Sequence, residues 1–282
     1  MSEKDQGILY VVALPIGNLK DITLRALEVL KEVDIVLTED TRSFKKLERA
    51  YQLPKKELIS FYKEVEAEKE EKIIKLLKEG KKIALCSEAG TPLLSDPGAR
   101  LVKRAHLEGI KVEPVPGASA ITAALSASGI DLSEGFIFLG FLPRKEREIK
   151  EKLDKLPKNM PLVIFIPPHR FAKTLEMLLK ILGDRSAFFA REITKMHEEL
   201  LFTSLSELAK RENLKGEITL IIEGKEEKKR ASYNLNLNKN IKKEIETLLK
   251  EGLKSKEISR ELSKKYGVSS KEIYRLIKEL KD

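Results

Sequence analysis

The sequence predicts an α/β protein of two halves followed by a small helical module. Short apolar runs alternate with amphipathic runs throughout residues 8–224, the βαβ rhythm of mostly parallel sheets covered by helices. The apolar runs end in loops of Gly, Pro and hydroxyl residues, above all Ser87–Gly98, SEAGTPLLSDPG. The last stretch changes character: residues 225–282 hold 17 Lys/Arg against 10 Asp/Glu, a net of +7 out of the chain's +9.

In order, Ile8–Leu14 is a strand that ends in Pro15-Ile16-Gly17-Asn18. Thr23 opens a helix with apolar positions Leu24, Ala26, Leu27, Leu30 and Val33. Ile35–Thr38 is a strand running into Glu39-Asp40-Thr41-Arg42, and a helix follows to about Tyr51. Leu58–Phe61 is a short strand, and Val65–Glu79 a charged helix closed by Gly80. Ile83–Cys86 feeds the long loop, and an amphipathic run from Ala99 to Leu107 leaves it. Val112–Val115 is a strand ending in Pro116-Gly117-Ala118-Ser119-Ala120, so the halves divide as 1–115 and 116–224.

The second half restarts the rhythm. Ala120–Ser128 is a helix of small residues, Phe136–Phe141 a strand, Lys145–Leu156 a helix and Leu162–Ile166 a strand. Phe171–Leu182 is a helix, Ser186–Ala190 a strand, Leu205–Arg211 a helix and Glu217–Glu223 a strand. Residues 225–238 are polar and without periodicity, a linker. Residues 239–282 form the helical module, with runs Ile241–Leu249, Ser255–Leu262 and Ser269–Leu280 punctuated by Gly252 and Gly267. The last two runs read as a helix-turn-helix, basic enough for a polyanion such as nucleic acid. The plainer alternative is an appendage that only packs or dimerises, on a Lys/Glu-rich solvated surface.

Composition narrows the function. The chain is 41% apolar, enough for a core, and no run is long enough to span a membrane. MSEKDQGILYVVAL has no basic n-region or small-residue cleavage site, so no secretory signal is expected. The single cysteine, Cys86, fits a reducing, cytoplasmic setting. With three scattered histidines no metal site is expected. The chain lacks GxxxxGK[ST], a GxGxxG after its first strand, and GxSxG, which excludes a Walker nucleotidase, an ordinary dinucleotide fold and the hydrolase elbow. What it has instead is three strand-end loops of small residues: Pro15–Asn18, Ala89-Gly90-Thr91-Pro92 and Pro116–Ala120. Small residues let a flat polar ligand such as an adenine nucleoside reach the backbone.

VALPIGN, TEDTR, SEAGTPLLSDPG, PGASA, FIFLGFLPRK, PHR, REITKMHEE and GEITLIIEG occur in the order found in the tetrapyrrole-methylase-like superfamily. The chain resembles its ribosomal RNA small-subunit methyltransferase I branch over about residues 8–224, and the C-terminal module fits as well. The resemblance implies a two-domain fold of that superfamily binding S-adenosylmethionine between the domains, usually in a homodimer. It also implies methyl transfer to a cytidine ribose 2′-hydroxyl in the decoding region of small-subunit rRNA, free or in an assembled subunit. Carried onto this chain, the cofactor contacts are Pro15, Ala89, Gly90, Thr91, Ser119, Ala120, Ile166, Ala190, Ile218 and Thr219. Ile166-Pro167 stand where the group has Glu-Ser or Glu-Ala, so no polar role is carried to that spot, and Glu88 stands in place of Asp.

A ribose hydroxyl needs help to lose its proton. The candidates are Asp40, Glu88, Lys195 and His197, with Glu39 and Asp96 beside them. Arg42, Arg170, Arg191, Lys271 and Arg275 are the expected acceptor contacts, with phosphate or structural ion pairs as their roles. Two other readings remain open on sequence alone. One is a methylase of this fold acting on a tetrapyrrole or protein. The other is a DNA-binding regulator with an α/β ligand-sensing body.

Overall fold

The computed structural model describes residues 7–225, 241–266 and 270–280. The chain divides into two compact units, Met1–Gly224 and Lys225–Asp282. The first unit holds two five-stranded sheets.

The first sheet takes β1 (Ile8–Val12), β2 (Ile35–Thr38), β3 (Glu57–Ser60), β4 (Ile83–Cys86) and β5 (Lys111–Val115) in the order β3-β2-β4-β1-β5. Every pairing is parallel. Parallel strands need crossovers, here α1 (Leu24–Glu32), α2 (Thr41–Ala50), α3 (Glu66–Lys78) and α4 (Ala99–Leu107). The two-residue period of a strand divides the side chains between two cores. Tyr10, Val12, Val36, Ala84 and Cys86 pack with Ala26, Leu30, Phe44 and Leu47 of α1 and α2. Leu9, Ile35, Leu37, Ile83 and Leu85 pack with Ile73, Leu77, Leu101 and Ala105 of α3 and α4. Burial on both faces explains why these strands read as unbroken apolar runs. Because the strands run parallel, all the loops that leave them emerge at one edge of the sheet.

The second half contributes α5 (Ala120–Ser128), β6 (Ile137–Phe141), α6 (Glu146–Asp154), β7 (Leu162–Ile166), α7 (Phe171–Leu182), β8 (Ser186–Arg191), β9 (Glu199–Ser204), α8 (Leu205–Ala209) and β10 (Ile218–Ile222). Its sheet runs β6-β7-β10-β8-β9 and is mixed: β6 and β7 are parallel, and the other pairs antiparallel. One face packs on α6, α7 and α8, the other on α5.

Strand β9 is not predicted by the sequence. It pairs only with β8, and Leu200, Leu201 and Phe202 are all exposed, so no alternation marks it. The helix expected over Leu205–Arg211 stops at Ala209. Arg211 turns away to pair with Glu199 of β9 at 2.5 Å.

The second unit holds α9 (residues 241–250), α10 (Ser255–Tyr266) and α11 (Ser270–Glu279). Ile241, Ile245, Ile258, Leu262, Ile273, Leu276 and Ile277 form its core. Glu244 on α9 hydrogen-bonds Lys265 and Tyr266 at the end of α10. The helix pair foreseen at Ser255–Leu280 is therefore present. Its expected turn through Gly267 and Val268, and the linker expected over 225–238 beyond Lys225, lie outside the described residues.

Candidate active site in the cleft between the sheets

The site is assembled by tying strand-end loops together. Leu14, just beyond β1, exchanges two backbone hydrogen bonds with Gly90 beyond β4, at 2.8 and 3.0 Å. The Thr91 hydroxyl donates to the Ala118 carbonyl at 3.1 Å, which binds the β4 loop to the β5 loop. Gly117 lies against Ala13, where a Cβ would come within 2.9 Å of the alanine methyl. The loop after β8 joins through the Asn18 amide, which donates to Thr194 Oγ1 at 3.1 Å. A Cβ on Gly17 would sit 2.4 Å from Lys195 Cγ, so only glycine allows that approach.

The loops are also unusual in backbone. Among the described residues, six non-glycine positions have positive φ, and four fall here: Leu93 and Ser95 beyond β4, Glu192 and Thr194 beyond β8. Such conformations persist where surrounding contacts hold them, and they gather at functional sites.

These loops enclose a cavity of about 760 Å³, within the size range of small-molecule and cofactor sites. Gly90, at φ +75°, forms part of its floor, and a Cβ there would meet Ile16 Cγ2 at 3.1 Å. Part of the lining is apolar: Pro15, Ile16, Ile166, Pro167 and Ile218 all border the cavity. At Ser119–Ala120 the cleft receives the N-terminus of α5. Ser119 makes no side-chain capping bond, so the first-turn amides of α5 remain available to an anionic group. A mixed cavity with a glycine floor, an apolar slot and an open helix N-terminus suits an amino acid joined to a nucleoside.

Another part of the cleft is acidic. Glu39 after β2, and Glu88 and Asp96 after β4, all line it. Burial, reinforced by the Glu39 charge, pushes the Asp96 carboxyl up to about 6, against the pull of a hydrogen bond from Ser87. Burial and then the Glu88 charge raise Glu39 as well. The buried Ser87 hydroxyl also reaches the carbonyls of Ala89 and Gly90, at 3.1 and 3.2 Å. A half-buried carboxyl poised near neutrality is equipped to take up and release a proton.

Nine of the ten expected cofactor residues line this one cleft: Pro15, Ala89, Gly90, Thr91, Ser119, Ala120, Ile166, Ile218 and Thr219. Ala190 does not. It pairs with Thr219 across β8 and β10, and its side chain packs on α5. Of the proton-transfer candidates, Glu88 and Lys195 line the cleft, and Asp40 and His197 do not. Asp40 caps α2, accepting from the Arg42 amide at 2.8 Å, and that bond lowers its pKa. His197 is exposed on the loop after β8. Lys195 is held between Glu192 at 2.8 Å and Glu217 at 2.9 Å. Burial alone would lower its pKa, yet these two bonds prevail and raise it, so it stays a cation at neutral pH.

Of the expected acceptor residues, Arg42, Arg170 and Arg191 lie outside the cleft lining. Arg42 is exposed and bonded to Asp40. Arg170 donates to the Leu142 and Pro143 carbonyls at 3.1 and 2.5 Å. Arg191 pairs with Glu199 at 3.1 Å and the Lys215 carbonyl at 3.2 Å. Arg170 and Arg191 therefore hold structure together. Arg275 is exposed on α11, and the side chain of Lys271 lies outside the described residues. Sequence reasoning missed Lys46 and Phe141, both exposed and both lining the cleft. The signal for Lys46 was its place three residues after Ser43 on the cleft-facing side of α2. Lys46 makes no hydrogen bond or ion pair with any described residue.

Residues 8–209 match the family model of tetrapyrrole (corrin/porphyrin) methylases. The chain is 46% identical over 225 residues to the ribosomal RNA small subunit methyltransferase I of Thermotoga maritima, covering 78% of this chain and 100% of that relative. It is 40% identical over 276 residues to the protein of the same name from Halalkalibacterium halodurans, covering 96% of this chain and 95% of the relative. Among solved structures, diphthine synthase superposes with a TM-score of 0.62 at 18% identity, over 77% of this chain and 90% of that one. A Thermus thermophilus uroporphyrin-III C-methyltransferase complexed with S-adenosylhomocysteine does so at 0.53 and 21%, over 76% of this chain and 97% of that one. These two likenesses are of fold.

Proposed function

The chain belongs to the tetrapyrrole methylase family, and we propose that it is an S-adenosylmethionine-dependent methyltransferase of small-subunit ribosomal RNA, acting on the ribose 2′-hydroxyl of a cytidine in the decoding region. The observation that carries the rRNA reading is the 40–46% identity to relatives named for that activity, extending in one of them over 96% of this chain. The fold alone would not separate this acceptor from a tetrapyrrole or a protein.

The cleft suits the cofactor. Bound there, S-adenosylmethionine supplies a methyl group already activated on a sulfonium, so the protein's work is alignment and proton removal. Ala89, Gly90 and Thr91 would form the floor under the methionine part, and the α5 amides beyond Ser119 would receive its carboxylate. Pro15, Ile16, Ile166 and Ile218 would sandwich the adenine.

Asp96 would take the hydroxyl proton. It faces the cleft, and burial and the Glu39 charge bring its pKa to about 6, near working pH. Asp40 is committed to capping α2 and Lys195 is a paired cation, so neither is placed for that role. Lys195 instead would fix the loop after β8 against Gly17 and offer positive charge to the cleft. The second unit, with its surplus of basic residues, would add sequence-independent affinity for the RNA backbone. A homodimer is part of this reading, by the resemblance of the sequence to its family.

The direct test is transfer of labelled methyl from S-adenosylmethionine to small ribosomal subunits, followed by mapping of 2′-O-methyl positions. One labelled cytidine in the decoding region is expected. Tight ligand-modulated binding to a defined DNA duplex with no label on the subunit would overturn it in favour of the regulator.

A further inference from the structure

We propose that Phe141 is the stacking platform on which the acceptor nucleotide's base is laid, an inference that rests on the RNA-methylating reading of this cleft. Phe141 ends β6, lines the cleft and leaves 54% of its surface exposed, which is unusual for a phenylalanine at the end of a strand.

Its placement is built rather than incidental. Phe138 pairs with Val163 and Phe141 with Phe165, so one extra residue stands in β6, between Phe138 and Gly140. In a regular strand, residues three apart point to opposite faces. The bulge absorbs that residue and puts both phenylalanines on the same face. Both rings then meet Phe165: Phe138 edge-on at 5.1 Å and 71°, Phe141 tilted at 5.5 Å. Phe141 is thus braced by an aromatic cluster while more than half of its surface stays exposed. The bulge needs Gly140, whose φ is +62°. A Cβ there would come within 3.0 Å of Ser95 Oγ, so β6 closes directly on the loop that carries Asp96. Behind the platform, Arg170 fixes the chain by its bonds to Leu142 and Pro143.

The surroundings favour a nucleobase. Arg144, three residues on, is exposed and makes no hydrogen bond or ion pair with any described residue, and Lys46 on the cleft wall is in the same state. An exposed aromatic ring and an unpaired lysine on one cleft, with an unpaired arginine three residues along the chain, match what single-stranded nucleic acid requires: stacking for the base, charge for the phosphates.

The test compares full-length F141A, F141L and F141Y with the wild type. Leucine keeps the bulk without the ring, and tyrosine keeps the ring. Two readouts are used: acceptor KM in methyl transfer to small ribosomal subunits, and affinity for a fluorescent oligocytidine strand in the presence of S-adenosylhomocysteine. F141A and F141L are expected to raise KM and weaken oligocytidine binding about tenfold or more, with F141Y near wild type. Calorimetric affinity for S-adenosylmethionine should be unchanged in all of them. If F141L binds oligocytidine as the wild type does, or if the variants lose cofactor affinity instead, the platform is overturned. If the wild type methylates no subunit, the rRNA reading fails separately, and oligocytidine binding still decides the role of Phe141.

Discussion

Thr91 and Ala118 meet side chain to backbone, the threonine hydroxyl donating to the alanine carbonyl at 3.1 Å. The bond crosses from the loop after β4 to the loop before α5 and closes the cleft floor between them. T91V removes it while keeping the shape. A single neutral hydrogen bond contributes about 0.5–1.5 kcal/mol, so cofactor affinity should fall about two- to twelvefold by calorimetry. G90V should do far more, because valine resists φ +75° and its side chain would press on Ile16. Unchanged affinity in G90V would remove this loop from the site.

Asp96 should govern the pH profile. Its folded pKa is raised to about 6, so its proton-accepting form is lost as pH falls through 6, and kcat should fall with it. D96N should lower kcat by about 10²-fold or more and abolish that limb, while cofactor affinity holds. A D96N enzyme with a normal rate would exclude Asp96 as the proton acceptor.

The same group predicts a stability change of opposite sign. Between the ordinary aspartate value and about 6, the folded protein holds a proton that the unfolded chain has released, so this residue costs stability as pH rises through that window. D96N, which mimics the protonated form, should therefore raise Tm at pH 7 and lose its advantage below about pH 4. Thermal melts at both pH values check this. A lower Tm at pH 7 would contradict the burial argument.

K46A and R144A should weaken acceptor binding without touching the cofactor. Each should lower the slope of log affinity against log salt by about 0.7 on a single strand, because one fewer phosphate is neutralised and its counterion is no longer released. A salt titration of oligocytidine binding measures this, and an unchanged slope would place the side chain away from phosphate.

Removing residues 225–282 should leave cofactor affinity intact and reduce RNA affinity and its salt dependence. The Thermotoga maritima relative is matched over its whole length by 225 residues of this chain, close to the length of the first unit. Calorimetry on the truncated chain showing lost cofactor binding would contradict the prediction.

The strands of the first sheet were legible because both of their faces are buried, which leaves apolar runs bounded by loops. β9 was not legible, because an edge strand with exposed Leu200, Leu201 and Phe202 has no inside face to mark. The loops that line the cleft were legible from their small residues, since close backbone approach is a local property. That Ala190 lies outside the cleft lining was not legible, because neither spacing nor motif says which side of a strand faces a cavity.

The sequence by itself determined the class of fold, the family and the loops that make the cleft, since periodicity, glycine placement and motif are all properties of short stretches. Only the tertiary structure decided which charged residues face the site. Asp40, Arg170 and Arg191 look functional in a linear reading, yet each is engaged by a backbone or side-chain partner. Asp96, Lys46 and Phe141 reach the cleft through packing: burial beside Glu39, one face of α2, and a bulge at Gly140 that closes on Ser95. Desolvation and partnership set the chemistry of an ionisable group, and both depend on neighbours far away in the chain.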